Sequence, residues 1–218
     1  MSTVPQTNPE RTPSLSTIAH ILSDVFSPIL APTYVIVIAL WLTLLRFIPF
    51  GVKMWSLGGV FFITAVVPML TIFLLMRLGR VSDTSISNRR ERIIPYSITI
   101  LCYLAAAWFL HSLNAPVWLA AFYIAAAVAS VLSLAITFYW KISAHSGAIA
   151  GVTTAIYWMA IHGLLFPAPM VWVSVAILIT GAVCWARLYL NHHTPLQVLA
   201  GAALSAAVVY LTLTISIL

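Results

Sequence analysis

Two long apolar segments of the sequence meet at the stretch ARLYLNHHTPLQ, residues 186–197. This stretch carries an arginine, a pair of histidines and a glutamine, although only 6% of the residues in the chain are charged. Ionisable side chains near a membrane are energetically costly and usually mark a functional site. We therefore interpret residues 186–197 as the centre of the molecule, and the other segments as the scaffold that brings further polar groups to it.

The composition predicts a membrane protein rather than a soluble domain. Hydrophobic residues account for 62% of the 218 residues, against about 45–50% in globular proteins. The formal charge of +6 comes from bases in short loops between apolar runs, so we expect contact with anionic lipid and not with nucleic acid. Cys102 and Cys184 lie within apolar segments, where a thiol behaves as a small hydrophobic group. They predict neither a disulfide nor a metal site.

Apolar stretches long enough to cross a bilayer, which takes about 20 residues, follow one another along the chain. They are placed at 28–48, 57–78, 96–113, 116–139, 147–166, 169–190 and 195–218. Pro28, Pro32 and Pro68 interrupt the first two, and a first segment that enters the bilayer and returns reduces the count to six. The sequence therefore predicts an all-α, polytopic transmembrane helix bundle with six or seven spans, which forms one domain over residues 28–218.

Residues 1–27 form a polar N-terminal tail that lacks the basic and hydrophobic regions of a signal peptide. Within it, the segment from Leu15 to Phe26 fits either an amphipathic interfacial helix or a disordered segment. His20 lies in this tail, and His111 and His162 lie at predicted span ends. Because none of the three has a matching partner in the sequence, we expect no functional role for them.

Three polar clusters lie between the predicted spans, at residues 88–95, 141–147 and 187–197. Two spans separate each cluster from the next, and an even number of crossings returns the chain to the same side of the membrane. All three clusters are therefore expected in one layer near one interface. Arginine side chains and helix N-termini in such a layer suit phosphate. Two histidines there can serve as nucleophile and general acid, which points to hydrolysis of a phosphate ester.

The three clusters together resemble the type 2 phosphatidic acid phosphatase family, whose superfamily includes vanadium haloperoxidases and whose motifs are KxxxxxxRP, PSGH and SRxxxxxHxxxD. The third motif matches best, because Arg187 is followed after five residues by His193. In the family this histidine is the nucleophile that forms a phosphohistidine, and the arginine binds phosphate. The family's Asp falls at Gln197, whose carbonyl accepts a ring N–H but adds no charge. His192 is out of register and is interpreted as a neighbour that tunes the site.

The resemblance also assigns roles in the second motif. The sequence ISAH at residues 142–145 stands where PSGH is expected. His145 then resembles the general acid that protonates the leaving group, and Ser143 is implied to hold phosphate oxygens. Lys141 lies just upstream and is a further candidate for binding phosphate.

The first motif is the loosest of the three. We carry the family's arginine over to Arg92 and its lysine to Arg89, with Arg90 as a substitute for either. Carboxylates and cysteines suited to a metal are scarce near this layer, so the expected chemistry needs neither a metal ion nor another cofactor.

The resemblance implies an integral membrane lipid phosphatase. Its expected substrate is a phosphomonoester or pyrophosphate of a lipid, such as phosphatidic acid, phosphatidylglycerol phosphate, polyprenyl pyrophosphate or lipid A phosphate. Gln197 leaves two alternatives open, namely transfer of the phosphate to an acceptor other than water, and a catalytically weak protein that only binds lipid. The sequence does not indicate an oligomeric state.

Two arguments about orientation disagree. Most Lys and Arg residues lie on the predicted catalytic side, which the positive-inside rule would place in the cytoplasm. Several of those bases are assigned to phosphate, however, and the resemblance implies a site that faces away from the cytoplasm. We therefore expect a protein of a bacterial inner membrane with its active site on the periplasmic side.

Overall fold

The protein was analysed as a computed structural model, which describes residues 13–79 and 93–218. Its regular structure within these residues is helical, and they contain no strand. The helices are α1 (Pro13–Val25), α2 (Ala31–Leu42), a 3-10 helix (Leu44–Phe47), α3 (Phe50–Phe61), a π-helical turn (Phe62–Val66), α4 (Val67–Arg77), α5 (Ile93–Ser112), α6 (Val117–Tyr139), α7 (Ala144–Ile161), α8 (Pro169–Tyr189) and α9 (Pro195–Ile215). The prediction of an all-α architecture is confirmed.

Five helical segments of the described chain are long and apolar enough to cross a membrane. They are Phe50–Arg77, Ile93–Ser112, Val117–Tyr139, Pro169–Tyr189 and Pro195–Ile215. These segments fit an integral membrane protein. The predicted count of six or seven spans is not confirmed, because α2 and α7 do not meet the same length and hydropathy.

The first predicted span, residues 28–48, is divided into two short helices. Thr43 leaves the α2 helix in an extended conformation, with φ −119° and ψ −173°. Its Oγ1 then accepts a hydrogen bond from the Leu45 N–H at 3.2 Å and caps the 3-10 helix that follows. The 12 residues of α2 extend over about 18 Å, whereas the hydrocarbon core of a bilayer is about 30 Å thick.

The second predicted span begins earlier than expected, at Phe50 instead of residue 57. Its helix runs without a break from α3 to α4 through the π-helical turn. Pro68 follows this turn, and its ring has no N–H for the helical hydrogen-bond ladder. The wider turn lies directly before the proline, and π-bulges inside helices are frequent at functional sites.

α7 lies at the centre of the bundle and packs mainly against α8 and α9. The Ser146 Oγ donates to the Val198 carbonyl at 2.9 Å near one end. The Trp158 Nε1 donates to the Thr214 Oγ1 at 3.3 Å near the other end. Because residue numbers rise together along this interface, α7 and α9 are parallel and their N-termini lie side by side.

Glycine makes this close approach possible. A Cβ atom on Gly201 of α9 would lie only 2.4 Å from the backbone oxygen of Ser143. A Cβ atom on Gly147 of α7 would lie 2.8 Å from Ser205 Oγ. Small residues at these positions let the two backbones meet, as is common for helices in membranes.

α1 packs against the C-terminal end of α8. Ala19 is fully buried there against Ala186 and Leu190. On the other side of α1, Ile18 and Ile21 are exposed. The segment predicted as helix or disorder is therefore helical, while its position at a membrane interface stays a prediction.

Candidate active site

A cavity of about 450 Å³ lies where α7 and α9 begin and α8 ends. His145 reaches it from the first turn of α7, and Arg187 from the last turn of α8. His192 and His193 reach it from the loop between α8 and α9. Side chains from the second and third predicted clusters thus line one space, as the count of membrane crossings predicts.

The α8–α9 loop owes its shape to its local sequence. Asn191 adopts a left-handed conformation with φ 55°, which asparagine tolerates better than most residues. The side-chain oxygen of Thr194 accepts from the Gln197 N–H at 3.4 Å, and the Gln197 Oε1 accepts from the Thr194 N–H at 3.3 Å. This reciprocal capping box, with Pro195 in the first turn, begins α9 immediately after His193.

Gln197 also contacts the predicted nucleophile. Its Oε1 lies 3.1 Å from His193 Nδ1, within hydrogen-bonding distance. His193 lies in the loop directly before the Thr194 cap and Gln197 lies in the first turn of α9, so the start of the helix brings the two side chains together. The amide oxygen therefore meets the imidazole where the family's carboxylate is expected to do so.

His145 is largely buried, and its surroundings disfavour the charged imidazolium. Burial lowers the pKa of His145 from 6.5 to about 3, with further lowering by Arg187, His193 and His192. The backbone of Ser23 lies close enough to the imidazole to oppose these effects. His145 is therefore uncharged at pH 7 in this structure.

Ser143 and Lys141 hold the site together from outside the cavity. The Ser143 Oγ caps α7 by accepting from the Ser146 N–H at 3.3 Å, and the Ser143 N–H donates to the Gln197 carbonyl at 3.2 Å. The Lys141 Nζ donates to the His192 carbonyl at 3.2 Å. Neither side chain is part of the described cavity lining, so their predicted role in binding phosphate stays a prediction.

The arginines of the first predicted cluster precede α5. Arg89, Arg90 and Arg92 lie outside the described residues. The chain that follows them reaches the cavity, because Pro95 and Tyr96 in the first turn of α5 belong to its lining.

The N-terminal helix contributes polar groups that the sequence interpretation missed. His20, Ser23 and Asp24 of α1 line the same cavity as His145 and His193. His20 was expected to have no role. The spacing of His20, Ser23 and Asp24 by three and four residues places them on one helical face, which is the signal that the sequence contained.

The rest of the cavity is largely apolar. It extends away from the histidines between α2, α4, α6 and the middle of α7 and α9. Its apolar lining includes Ile29, Pro32, Pro68, Ile72, Phe122, Ala126, Ala129 and Val209. The arrangement can accept a ligand that combines an anionic group with an apolar chain.

Within residues 13–79 and 93–218, no three His, Cys, Asp or Glu side chains are grouped as ligands of one ion. Besides the Asp24 carboxylate, the cavity offers imidazole nitrogens, a guanidinium group and hydroxyl groups, which suit hydrogen bonds to an oxyanion.

Comparison with known proteins agrees with this geometry. Residues 135–217 match the model of the PAP2 superfamily. The matched region contains His145, Arg187 and His193, and it ends within two residues of the C-terminus. No curated protein and no solved structure matches the chain. The match covers less than half of the chain and shows similarity to the PAP2 superfamily over the part that carries His145, Arg187 and His193.

Proposed function

We propose that the protein is a lipid phosphatase that removes phosphate from a phosphomonoester or pyrophosphate of a membrane lipid, through a phosphohistidine and without a metal ion. One observation carries the proposal. A single cavity joins the cluster of His145, Arg187 and His193 to an apolar compartment between the helices. A lipid phosphate combines these two properties, since its headgroup is an anion and its chains are apolar.

His193 is the proposed nucleophile. Its Nδ1 faces the Gln197 oxygen, which leaves Nε2 with the lone pair for attack on phosphorus. The bond between phosphorus and the leaving oxygen breaks as the bond from Nε2 forms. Arg187 stabilises the charge on the transferring phosphoryl group, and Arg89 and Arg92 are proposed to do so with it. Water then attacks the phosphohistidine and releases phosphate.

His145 is the proposed general acid. It is uncharged in the free protein because burial and Arg187 lower its pKa. A bound phosphate brings negative charge close to the imidazole, which favours its protonated form. His145 thus takes up a proton as the substrate binds, gives it to the leaving oxygen, and recovers one from the attacking water.

The substitution of the family's Asp by Gln197 keeps two alternatives in view. Phosphotransfer to an acceptor other than water uses the same first step and differs only in what attacks the phosphohistidine. A protein that only binds lipid phosphate uses the same cavity without turnover. Release of inorganic phosphate distinguishes hydrolysis from both.

The decisive experiment measures phosphate release by the detergent-purified protein from a panel of lipid phosphates in excess EDTA. We expect release by the native chain and none by His193→Ala. A radiolabelled substrate should also leave an acid-labile, base-stable label on the native chain. His111→Ala is the matched control, because His111 is exposed at the far end of α5. Full activity of His193→Ala would contradict the proposed mechanism.

We further propose that the protein resides in a bacterial inner membrane with the cavity facing the periplasm. A single cysteine at Tyr139, which is 88% exposed at the end of α6, reports on this side when Cys102 and Cys184 are replaced by alanine. Labelling of intact cells by a membrane-impermeant maleimide is the expected result. Labelling only after lysis would place the site in the cytoplasm.

A further inference from the structure

α1 brings three polar side chains to the cavity that the proposed mechanism does not use. His20, Ser23 and Asp24 occupy one face of this helix and belong to the cavity lining. Ala19, on the same side of α1, is fully buried against the end of α8. The helix is therefore anchored beside Arg187, and its polar face is directed towards the site.

Ser23 indicates that this face is built to meet a ligand. Its side chain is only 4% exposed, and among the described residues its Oγ has no hydrogen-bond partner. A buried hydroxyl without a partner is unfavourable, and native structures usually avoid it. A ligand hydroxyl in the cavity would provide the missing hydrogen bond.

The location of Ser23 indicates which part of the substrate carries the hydroxyl group that would bond to it. Ser23 and His145 line the same cavity, and the backbone of Ser23 lies close enough to the imidazole to raise the pKa of His145. In the proposed function, which this inference rests on, His145 gives its proton to the leaving oxygen. The atoms of the leaving group next to that oxygen therefore lie beside Ser23.

The charge of Asp24 favours a neutral leaving group over an anionic one. It is the only Asp or Glu side chain among the described residues, and it is an exposed member of the cavity lining. A carboxylate accepts hydrogen bonds and has none to donate, so it favours a hydroxyl group. It disfavours a second phosphate because like charges repel.

We propose that His20, Ser23 and Asp24 form a leaving-group subsite for a hydroxylated alcohol. The preferred substrate is then a lipid whose terminal phosphate is esterified to a polyol, such as glycerol, that carries a free hydroxyl. A lipid pyrophosphate is a poorer substrate, because its leaving group is itself a phosphate. Ser23 and Asp24 act on specificity by contact with the leaving group and not by transfer of a proton.

The test compares kcat and KM of the full-length protein on two substrates. Phosphatidylglycerol phosphate has a leaving glycerol with a free hydroxyl, and polyprenyl pyrophosphate has a leaving phosphate. For phosphatidylglycerol phosphate, Ser23→Ala should raise KM about fivefold and Asp24→Asn about tenfold, as loss of a hydrogen bond to a neutral or charged partner predicts. Asp24→Asn should also raise kcat/KM for the pyrophosphate, because it removes the repulsion.

Opposite changes on the two substrates cannot result from partial unfolding, which lowers both. Ser14→Ala is the control on the same helix, because Ser14 is exposed and outside the cavity lining. Equal changes on both substrates, or none, overturn the subsite while hydrolysis by the native chain supports the proposed function. Failure of the native chain to hydrolyse any lipid phosphate overturns the proposed function itself.

Discussion

Gln197 accepts a hydrogen bond from the imidazole of His193, with 3.1 Å between Oε1 and Nδ1. An amide oxygen has no proton to donate, so Nδ1 carries the ring proton and Nε2 keeps its lone pair. The same Oε1 accepts from the Thr194 N–H at 3.3 Å. The hydrogen bond from the Thr194 N–H holds the Gln197 side-chain amide in place. The amide oxygen in turn determines the tautomer and orientation of His193, the proposed nucleophile.

Two substitutions of Gln197 should change kcat in opposite directions. Gln197→Glu keeps an acceptor at the same place and adds a negative charge, which stabilises the imidazole as it becomes positive in the transition state. We expect kcat to rise. Gln197→Ala removes the orienting hydrogen bond, and kcat should fall by at least about tenfold, which corresponds to about 1.4 kcal/mol. Phosphate release under saturating lipid substrate measures both effects.

Thr194→Ala tests whether activity depends on the cap of α9 or on the orientation of His193 by Gln197. It removes the oxygen that accepts from the Gln197 N–H but leaves the contact between Oε1 and Nδ1 in place. We expect a loss of about 1 kcal/mol in the free energy of unfolding with kcat close to the native value. If Thr194→Ala lowered kcat as far as Gln197→Ala, the cap and not the amide would control the site.

His145 should make the protein less stable in acid. Its pKa is about 3 in the folded protein, against 6.5 for an ordinary histidine. Between these values the unfolded chain binds a proton that the folded chain does not, so the free energy of unfolding falls as the pH drops below 6.5. The loss at pH 5 is about 2 kcal/mol at most, from 1.36 kcal/mol per pH unit.

Thermal unfolding in detergent at pH 7.5 and pH 5 measures this effect. His145→Gln should reduce the difference in Tm between the two conditions, because glutamine does not titrate. His111→Gln should leave the difference as it is in the native chain, since His111 is exposed. An unchanged difference in His145→Gln would show that other groups cause the acid sensitivity.

The sequence predicts the part of the site that is encoded locally. The last predicted span begins at residue 195, where α9 begins in the structure, and the match of Arg187 and His193 to the third motif depends only on their spacing in the sequence. The parity of membrane crossings brings His145 to the same layer. Both predictions depend only on neighbouring residues and on the order of the helices.

The contribution of α1 was missed because it depends on a long-range contact. Ser23 and His145 lie more than 100 residues apart in the sequence and line the same cavity, and no local pattern specifies that they come together. Ser143 shows a second limit, since residues that cap a helix and residues that bind phosphate are of the same types. The structure shows that the Ser143 hydroxyl accepts from the Ser146 N–H.

Gly201→Ala should disturb the site through packing alone. The new Cβ would lie 2.4 Å from the Ser143 oxygen and would push the N-terminus of α7, with His145, away from α9. Overpacking of this kind costs about 1–3 kcal/mol, and we expect kcat to fall with it. Gly181→Ala on α8 is the matched control, because nothing lies within 4 Å of its Cβ position. Equal behaviour of the two variants would contradict the close α7–α9 contact.

Filling the apolar part of the cavity should lower the hydrolysis of lipid phosphates and leave the hydrolysis of small phosphate esters unchanged. Ala126 of α6 lines the cavity away from the histidines, and Ala126→Phe places a ring where we propose that the lipid chain lies. We expect kcat/KM for a long-chain lipid phosphate to fall by at least about tenfold, since several apolar contacts of the chain are lost. A water-soluble aryl phosphate does not reach this region, so its hydrolysis should persist. Ala135→Phe, at an exposed position of the same helix, controls for the added ring. If Ala126→Phe lowered the hydrolysis of both substrates equally, the ring would be acting on the catalytic groups and not on a chain-binding compartment.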